Sequence, residues 1–375
     1  MDELQVLSQL RILRHQYFQL VEPYQLRWPD SAILKAPDVQ SWLFTNLFDA
    51  DGITSPPPQR YQHRVLKLLI SKLEKSIDNP EEDRRCLFNH LLTWFFPCEQ
   101  EISNDLMSAM GTLLTSCVPS EADSAQQKAF VTYSYPLHLN NGSTSDERTV
   151  TLLEARSVIS SSGTTGLRTW EAALLLGSYL ASESGRTIIR GKRLFELGAG
   201  TGMLSILCAK YLEVAGIVAT DGDEAVVDAI KTNMFLNGLD TDDSSGCQVR
   251  TAALKWGWPM DATTFSEDYG METPDVLFGA DVTYDKSVIP RLVSTMWEFF
   301  ELNSALQVFI SATIRNEQTF ETFLNACKRN GFGFEQIDCP PVPEHDQVGP
   351  FYPTSTPIQI WRITRSQVAK DPFAI

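Results

Sequence analysis

Leu4, Leu7, Leu10, Leu13, Tyr17 and Leu20 recur every three or four residues, a spacing that lays one apolar stripe along a helix. A second helix is expected after Pro37, with Asp38 as its N-cap and Trp42, Leu43, Leu47 and Phe48 facing inward. Pro56-Pro57-Pro58 then breaks the chain before a third helix carrying Val65, Leu66, Leu69, Ile70 and Leu73. Two more helices are predicted over about 81–96 and 101–117. Nothing in this stretch has catalytic spacing. The pattern predicts a helical N-terminal domain over 1–120 that serves packing or substrate docking.

Residues 119–127 are small and polar, as suits a linker, and beyond them the apolar period drops from near 3.6 to near 2. Residues 128–137 and 148–159 read as a strand pair joined by the turn-forming Asn140-Asn141-Gly142-Ser143. From about 190 onward, short β-type runs alternate with amphipathic helices. Strands are predicted at 193–197, 216–220, 248–253, 274–280, 306–313, 332–338 and 357–363. Alternation of this kind predicts an α/β class, with a doubly wound, Rossmann-like, seven-stranded sheet carrying helices on both faces. The last two strands are joined by a loop with no helix, which favours antiparallel pairing at that end. The second domain is therefore placed at 121–365, its Rossmann-like core at 190–364, and a tail at 366–375.

Charge narrows the function. Lys and Arg total 31 against 47 Asp and Glu, a net charge of −16. Such a chain repels a phosphate backbone and attracts a basic protein surface, so a direct nucleic-acid partner is not expected. Cys86, Cys98, Cys117, Cys208, Cys247, Cys327 and Cys339 stand alone, without a C-x-x-C or a His/Cys metal spacing. Reduced thiols and no metal site are expected. No apolar run approaches the ~18 residues of a membrane span, and the Met-Asp-Glu start has no apolar leader character. These features predict a cytoplasmic protein, and the lack of a heptad seam predicts a monomer.

The strongest local signal is a strand, Leu194-Phe195-Glu196-Leu197, running into Gly198-Ala199-Gly200-Thr201-Gly202 and then a helix. Glycines at that turn let a ligand approach the backbone. About twenty residues on, Asp221 ends the next strand, where an acid accepts hydrogen bonds from the ribose of an adenosyl ligand. A dinucleotide fingerprint would need G-x-G-x-x-G, but position 203 is Met. Glu196 adds a carboxylate two residues before the first glycine. It would repel a pyrophosphate and attract the amine and sulfonium of S-adenosylmethionine.

The segment Glu196-Leu197-Gly198-Ala199-Gly200-Thr201-Gly202 resembles the first motif of the seven-β-strand S-adenosylmethionine-dependent methyltransferases. Asp281-Val282-Thr283-Tyr284, after a predicted strand, is similar to the Asp-x-x-Tyr motif of their protein-lysine branch. Ser162 to Leu174, with Arg168-Thr169-Trp170-Glu171 at its centre, resembles a signature of the elongation factor 2 lysine methyltransferases. The stretch Thr313-Ile314-Arg315-Asn316-Glu317 resembles that branch too. The resemblance is detailed from about 125 to 365 and implies a protein-lysine N-methyltransferase using S-adenosyl-L-methionine, with translation elongation factor 2 as protein substrate.

For the cofactor, the resemblance implies Trp170, Gly198, Ala199, Gly200, Asp221, Trp256 and Ala280, to which the charge argument adds Glu196. Trp258 lies two residues from Trp256, and the sequence leaves the choice between them open; related enzymes often carry an acid where this chain has Lys255. Asp281 and Tyr284 are the expected catalytic pair, Asp281 orienting the lysine amine and Tyr284 walling the site. An alternative role for Asp281 is capping the helix that follows, although Asp285 suits that task better. No Asn-Pro-Pro-Tyr, Walker loop, Gly-x-Ser-x-Gly elbow or His-Glu-x-x-His is present to support a rival chemistry.

Overall fold

The computed structural model describes residues 3–77, 101–116, 127–136, 147–155, 164–239 and 247–365. The helix expected at 81–96, most of the linker, the turn at 140–143, the tail, and Cys86, Cys98 and Cys117 lie outside them. The chain divides into two compact units, Met1–Tyr133 and Ser134–Ile375.

Helices Glu3–Phe18, Pro37–Leu43, Gln59–Ile77 and Asn104–Thr115 build the first unit. Their apolar stripes meet in a core where Leu13, Tyr17, Leu43, Leu66 and Leu69 are sealed from solvent. The Tyr17 ring lies 5.5 Å from Phe48 and 5.6 Å from Tyr61, at the spacing of a favourable aromatic cluster. Two sequence expectations need correction. The first stripe is buried only from Leu10 onward, Leu4 being 70% exposed, and the helix ends at Phe18 before Leu20, which takes a φ of +59°. Asp38 does not cap the second helix: Ala36 holds that position and Pro37 takes the first helical one. Proline's missing N–H costs nothing there, and Asp38 in the first turn faces the positive end of the helix dipole.

In the second unit, seven strands form one sheet: β3 (Arg193–Leu197), β4 (Gly216–Asp221), β5 (Gln248–Ala253), β6 (Val276–Ala280), β7 (Gln307–Thr313), β8 (Phe332–Ile337) and β9 (Ile358–Arg365). Their spatial order is β5-β4-β3-β6-β7-β9-β8, parallel except that β9 runs antiparallel to both neighbours. The helix-free loop between β8 and β9 permits that reversal, since parallel neighbours need a crossover. Two earlier strands, β1 (Lys128–Tyr135) and β2 (Arg148–Ala155), pair separately. From β2, the Leu153 N–H donates to Asn233 Oδ1 at 2.8 Å, on the Glu224–Leu236 helix.

Strand alternation assigns the two faces of β3. Phe195 and Leu197 point into a core with Leu292, Met296 and Phe299 from the Ile289–Leu302 helix, the Phe195 and Phe299 rings 4.7 Å apart. Glu196 points to the opposite face, toward the Met203–Tyr211 helix. The chain leaves β3 for β4 on one side and later returns to place β6 on the other. That reversal opens a crevice at the carboxyl ends of β3 and β6, where open α/β sheets bind ligands.

Candidate active site

A cavity of about 1020 Å³ fills that crevice, and every residue singled out from the sequence lines it: Trp170, Glu196, Gly198, Ala199, Gly200, Asp221, Trp256, Ala280, Asp281 and Tyr284. Its floor is the glycine turn. Gly200 takes a φ of +56°, and a Cβ there would lie 3.1 Å from the Gly166 carbonyl oxygen. A Cβ on Gly198 would meet Val282 at 2.9 Å and the Trp256 ring at 3.3 Å. Side chains are thus excluded by both backbone conformation and space. The turn is tethered as well, with Ala199 N–H donating to the Thr220 carbonyl at 2.8 Å and Gly200 N–H to Asp221 Oδ2 at 3.2 Å. Thr169 ties the covering segment down, its hydroxyl 2.6 Å from Glu154 Oε1 and 2.7 Å from the Thr201 hydroxyl.

Two carboxylates sit beneath the turn. Asp221 closes β4 and also accepts the Asp223 N–H at 3.2 Å. Burial pushes its pKa up, against the opposing effect of the N–H donors of Asp223, Gly200 and Gly222. Glu196 is 3% exposed, and its Oε2 accepts both the N–H and the hydroxyl of Ser205 in the first turn of the Met203–Tyr211 helix. Burial raises the Glu196 carboxyl from 4.5 to about 8, outweighing the Ser205 bonds, and the nearby Asp221 charge raises it further.

The sign of the consequence follows from linkage. At pH below 4.5 Glu196 is protonated in both folded and unfolded chains, whereas between 4.5 and 8 only the folded state keeps the proton. Stability from this group is therefore present at low pH and lost as pH rises through 8. Glu196→Gln, which keeps an acceptor for Ser205, is expected to raise the melting temperature of the ligand-free protein at pH 8 but not at pH 4.5. Parallel melting curves for the two proteins across that range would refute the assignment.

Across the crevice, β6 runs directly into Asp281, whose side chain is 7% exposed and whose φ is +52°. Its N–H continues the β6–β7 pairing by donating to the Ser311 carbonyl at 2.9 Å. The carboxylate then reaches β7: Oδ1 accepts the Thr313 N–H at 2.8 Å and Oδ2 the Thr313 hydroxyl at 3.0 Å. Burial pushes this carboxyl up, opposed by the Thr313 N–H and the Arg315 guanidinium. Asp281 caps no helix. Asp285 does not cap the helix that follows either: Val288 holds the N-cap position without a side-chain bond, and Asp285 accepts the Ser287 N–H at 2.8 Å in the turn before the helix. Beyond Thr313, Arg315 donates to Glu171 at 2.6 Å, lies 3.5 Å from Asp281 Oδ1, and stands over the Trp170 ring at 5.2 Å. Trp170 is oriented by its indole N–H, which donates to the Thr165 carbonyl at 3.1 Å.

Tyr284 and Trp258 are the exposed large hydrophobic residues of the lining, at 64% and 68% exposure. Trp256 is half-buried against the core beside Gly198, whereas Trp258, in the same lining, is exposed. Arg315, Glu171 and Thr313 were not singled out as site residues. Thr313 closes β7 and Arg315 lies two residues beyond it, the one local sign that they would reach the crevice. Asn316, quoted beside Arg315, is instead the N-cap of the Glu317–Arg329 helix. Among the described residues, no His/Cys/Asp/Glu group could hold a metal ion, no helix is long and apolar enough to cross a membrane, and Cys208, Cys247, Cys327 and Cys339 are free thiols.

Comparison with known proteins adds independent findings. Residues 151–330 match the lysine methyltransferase family. The chain is 42% identical over 350 residues to protein-lysine N-methyltransferase EFM3 of Chaetomium thermophilum, covering 93% of this chain and 96% of that protein. It is 31% identical over 229 residues to protein-lysine N-methyltransferase EFM3 of Saccharomyces cerevisiae, covering 56% of this chain and 64% of the other. It is 30% identical over 206 residues to Homo sapiens protein-lysine N-methyltransferase EEF2KMT, covering 53% and 58% respectively.

Proposed function

The chain belongs to the S-adenosylmethionine-dependent protein-lysine N-methyltransferases, and from that premise we propose that it methylates a lysine of translation elongation factor 2. One observation carries the substrate reading. The described parts of the two segments that resemble the elongation factor 2 branch, 164–174 and 313–317, meet at the cavity, where Arg315 bonds Glu171 beside Trp170 and Asp281. Residues that set a branch apart are expected where substrate and donor come together. The net charge of −16 also suits a basic protein surface as partner.

The residues present fit the donor. Gly198 and Gly200 leave a cradle that a Cβ would fill, and Asp221 offers acceptors to ribose hydroxyls. The buried Glu196 in the lining keeps its proton up to about pH 8, so it offers a hydrogen-bonding carboxyl instead of the charge expected from the sequence. Trp256 and the Ala280 backbone would flank the adenine, and Trp170 the opposite wall. Bound S-adenosylmethionine supplies an electrophilic methyl on a sulfonium; the chain's own groups must bring up a neutral amine. Asp281, anchored by Thr313, accepts a hydrogen bond from that amine and aims its lone pair along the transfer axis. Water reaches the exposed Tyr284 and takes the released proton. Tyr284 and Trp258 line the path for the lysine's methylene stem.

The test is transfer of labelled methyl to purified proteins. Label in a lysine of elongation factor 2, located by peptide mass analysis, is the expected result. Label confined to another basic protein would keep the lysine chemistry and overturn the proposed substrate.

A further inference from the structure

We propose that Arg315 is a positioning residue for the transfer, bridging Asp281 to Glu171 so that the carboxylate keeps its aim and its charge. The inference rests on the assignment of Asp281 under the proposed function. Three separate elements meet here. Asp281 comes directly after β6, Arg315 from the segment after β7, and Glu171 from the start of the Glu171–Ala181 helix. The guanidinium lies 2.6 Å from Glu171 Oε2 and 3.5 Å from Asp281 Oδ1, with its carbon 5.2 Å from the Trp170 ring centroid. A guanidinium has both a donor fork and a flat cationic face, so one side chain can hold two carboxylates and an indole together.

The two distances carry the argument. Thr313 already fixes both Asp281 oxygens, and its two hydrogen bonds favour the carboxylate, but it brings no charge. Arg315, 3.5 Å from Asp281 Oδ1, adds a positive charge that favours the ionised form of the buried carboxyl beyond what Thr313 provides. Were Arg315 bonded bidentately to Asp281, it would neutralise the group and occupy the lone pairs an amine must use. Glu171 takes the short bond instead and holds the guanidinium at 3.5 Å from Asp281. The charged groups acting on Asp281 are therefore Arg315, which favours its ionised form, and Glu171, which opposes it. Arg168 stands over the same indole at 5.7 Å.

The experiment uses the full-length protein, with the Asp281 carboxyl followed by carbon-13 NMR titration alongside steady-state and single-turnover methylation. Arg315→Gln is expected to move the Asp281 midpoint to higher pH and, because the carboxylate loses its aim, to lower kcat by about tenfold or more. Arg315→Lys restores part of both. Glu171→Gln moves the midpoint the opposite way, to lower pH, a sign reversal that a merely structural bridge would not produce. In the Asp281→Asn background, Arg315→Gln should cost almost nothing further. Unmoved midpoints, or losses that multiply in the double variant, would overturn the role of Arg315 while leaving that of Asp281 intact. A folded Asp281→Asn protein with wild-type turnover would overturn both.

Discussion

Asp281→Asn is expected to leave a folded protein that still binds S-adenosylmethionine but transfers methyl about 100- to 1000-fold more slowly, the usual cost of losing one transition-state contact. The substitution suits the site closely. Asp281 takes a φ of +52°, and Asn is among the few residues that accept the left-handed region readily, which Ala does not. Asn can keep the Thr313 N–H bond through its carbonyl oxygen. The Thr313 hydroxyl can rotate to accept from the new amide, so neither partner is stranded. What disappears is the charge facing Arg315 and the incoming amine. Were Asp281 only a strap between β6 and β7, this isostere would preserve the strap and activity would barely change. Single-turnover methylation at saturating donor separates the outcomes, with circular dichroism confirming the fold. Wild-type turnover would move the catalytic assignment to Tyr284.

Asp221→Ala should weaken donor binding by about 1.5–3 kcal/mol, roughly 10- to 150-fold, because charge-assisted bonds to the ribose are lost. The structure adds a second route to the same loss. Asp221 also accepts the N–H groups of Gly200 and Asp223, so its removal loosens the glycine turn as well. Asp221→Asn, retaining an acceptor for the turn, should fall between wild type and Ala. Because burial already raises this carboxyl, affinity should begin to fall at a higher pH than for an exposed aspartate as the solution is acidified. Gly200→Val should do worse than either, with a β-branched side chain forced to φ +56° against the Gly166 carbonyl. Calorimetric titration measures all three, and the nicotinamide dinucleotide should give no heat with any of them. Wild-type affinity in Asp221→Ala would remove this residue from the donor site.

Most of the second unit was legible in the residue pattern because its signals are local. A strand buried on both faces must be an apolar run, so β3, β4, β6 and β7 could be placed within a residue or two. The glycine turn and the acid closing β4 are also short-range features, since one strand–turn–helix unit and the next strand build them. Helix ends were less legible. Ala36 rather than Asp38 became the cap because Pro37 claimed the first helical position, and Leu4 stayed exposed where periodicity alone would bury it. The active centre divides along the same line. That an acid and a tyrosine follow β6 is written in the chain. That Asp281 turns left-handed, grips Thr313 thirty-two residues away, and faces an arginine whose other partner, Glu171, lies 144 residues from it was decided only by the sheet. Strand order brings the ends of β6 and β7 side by side and sets Trp256 against Gly198 while leaving Trp258 in solvent. A residue string records which groups exist, but distances between groups far apart in sequence arise only when packing closes the chain on itself.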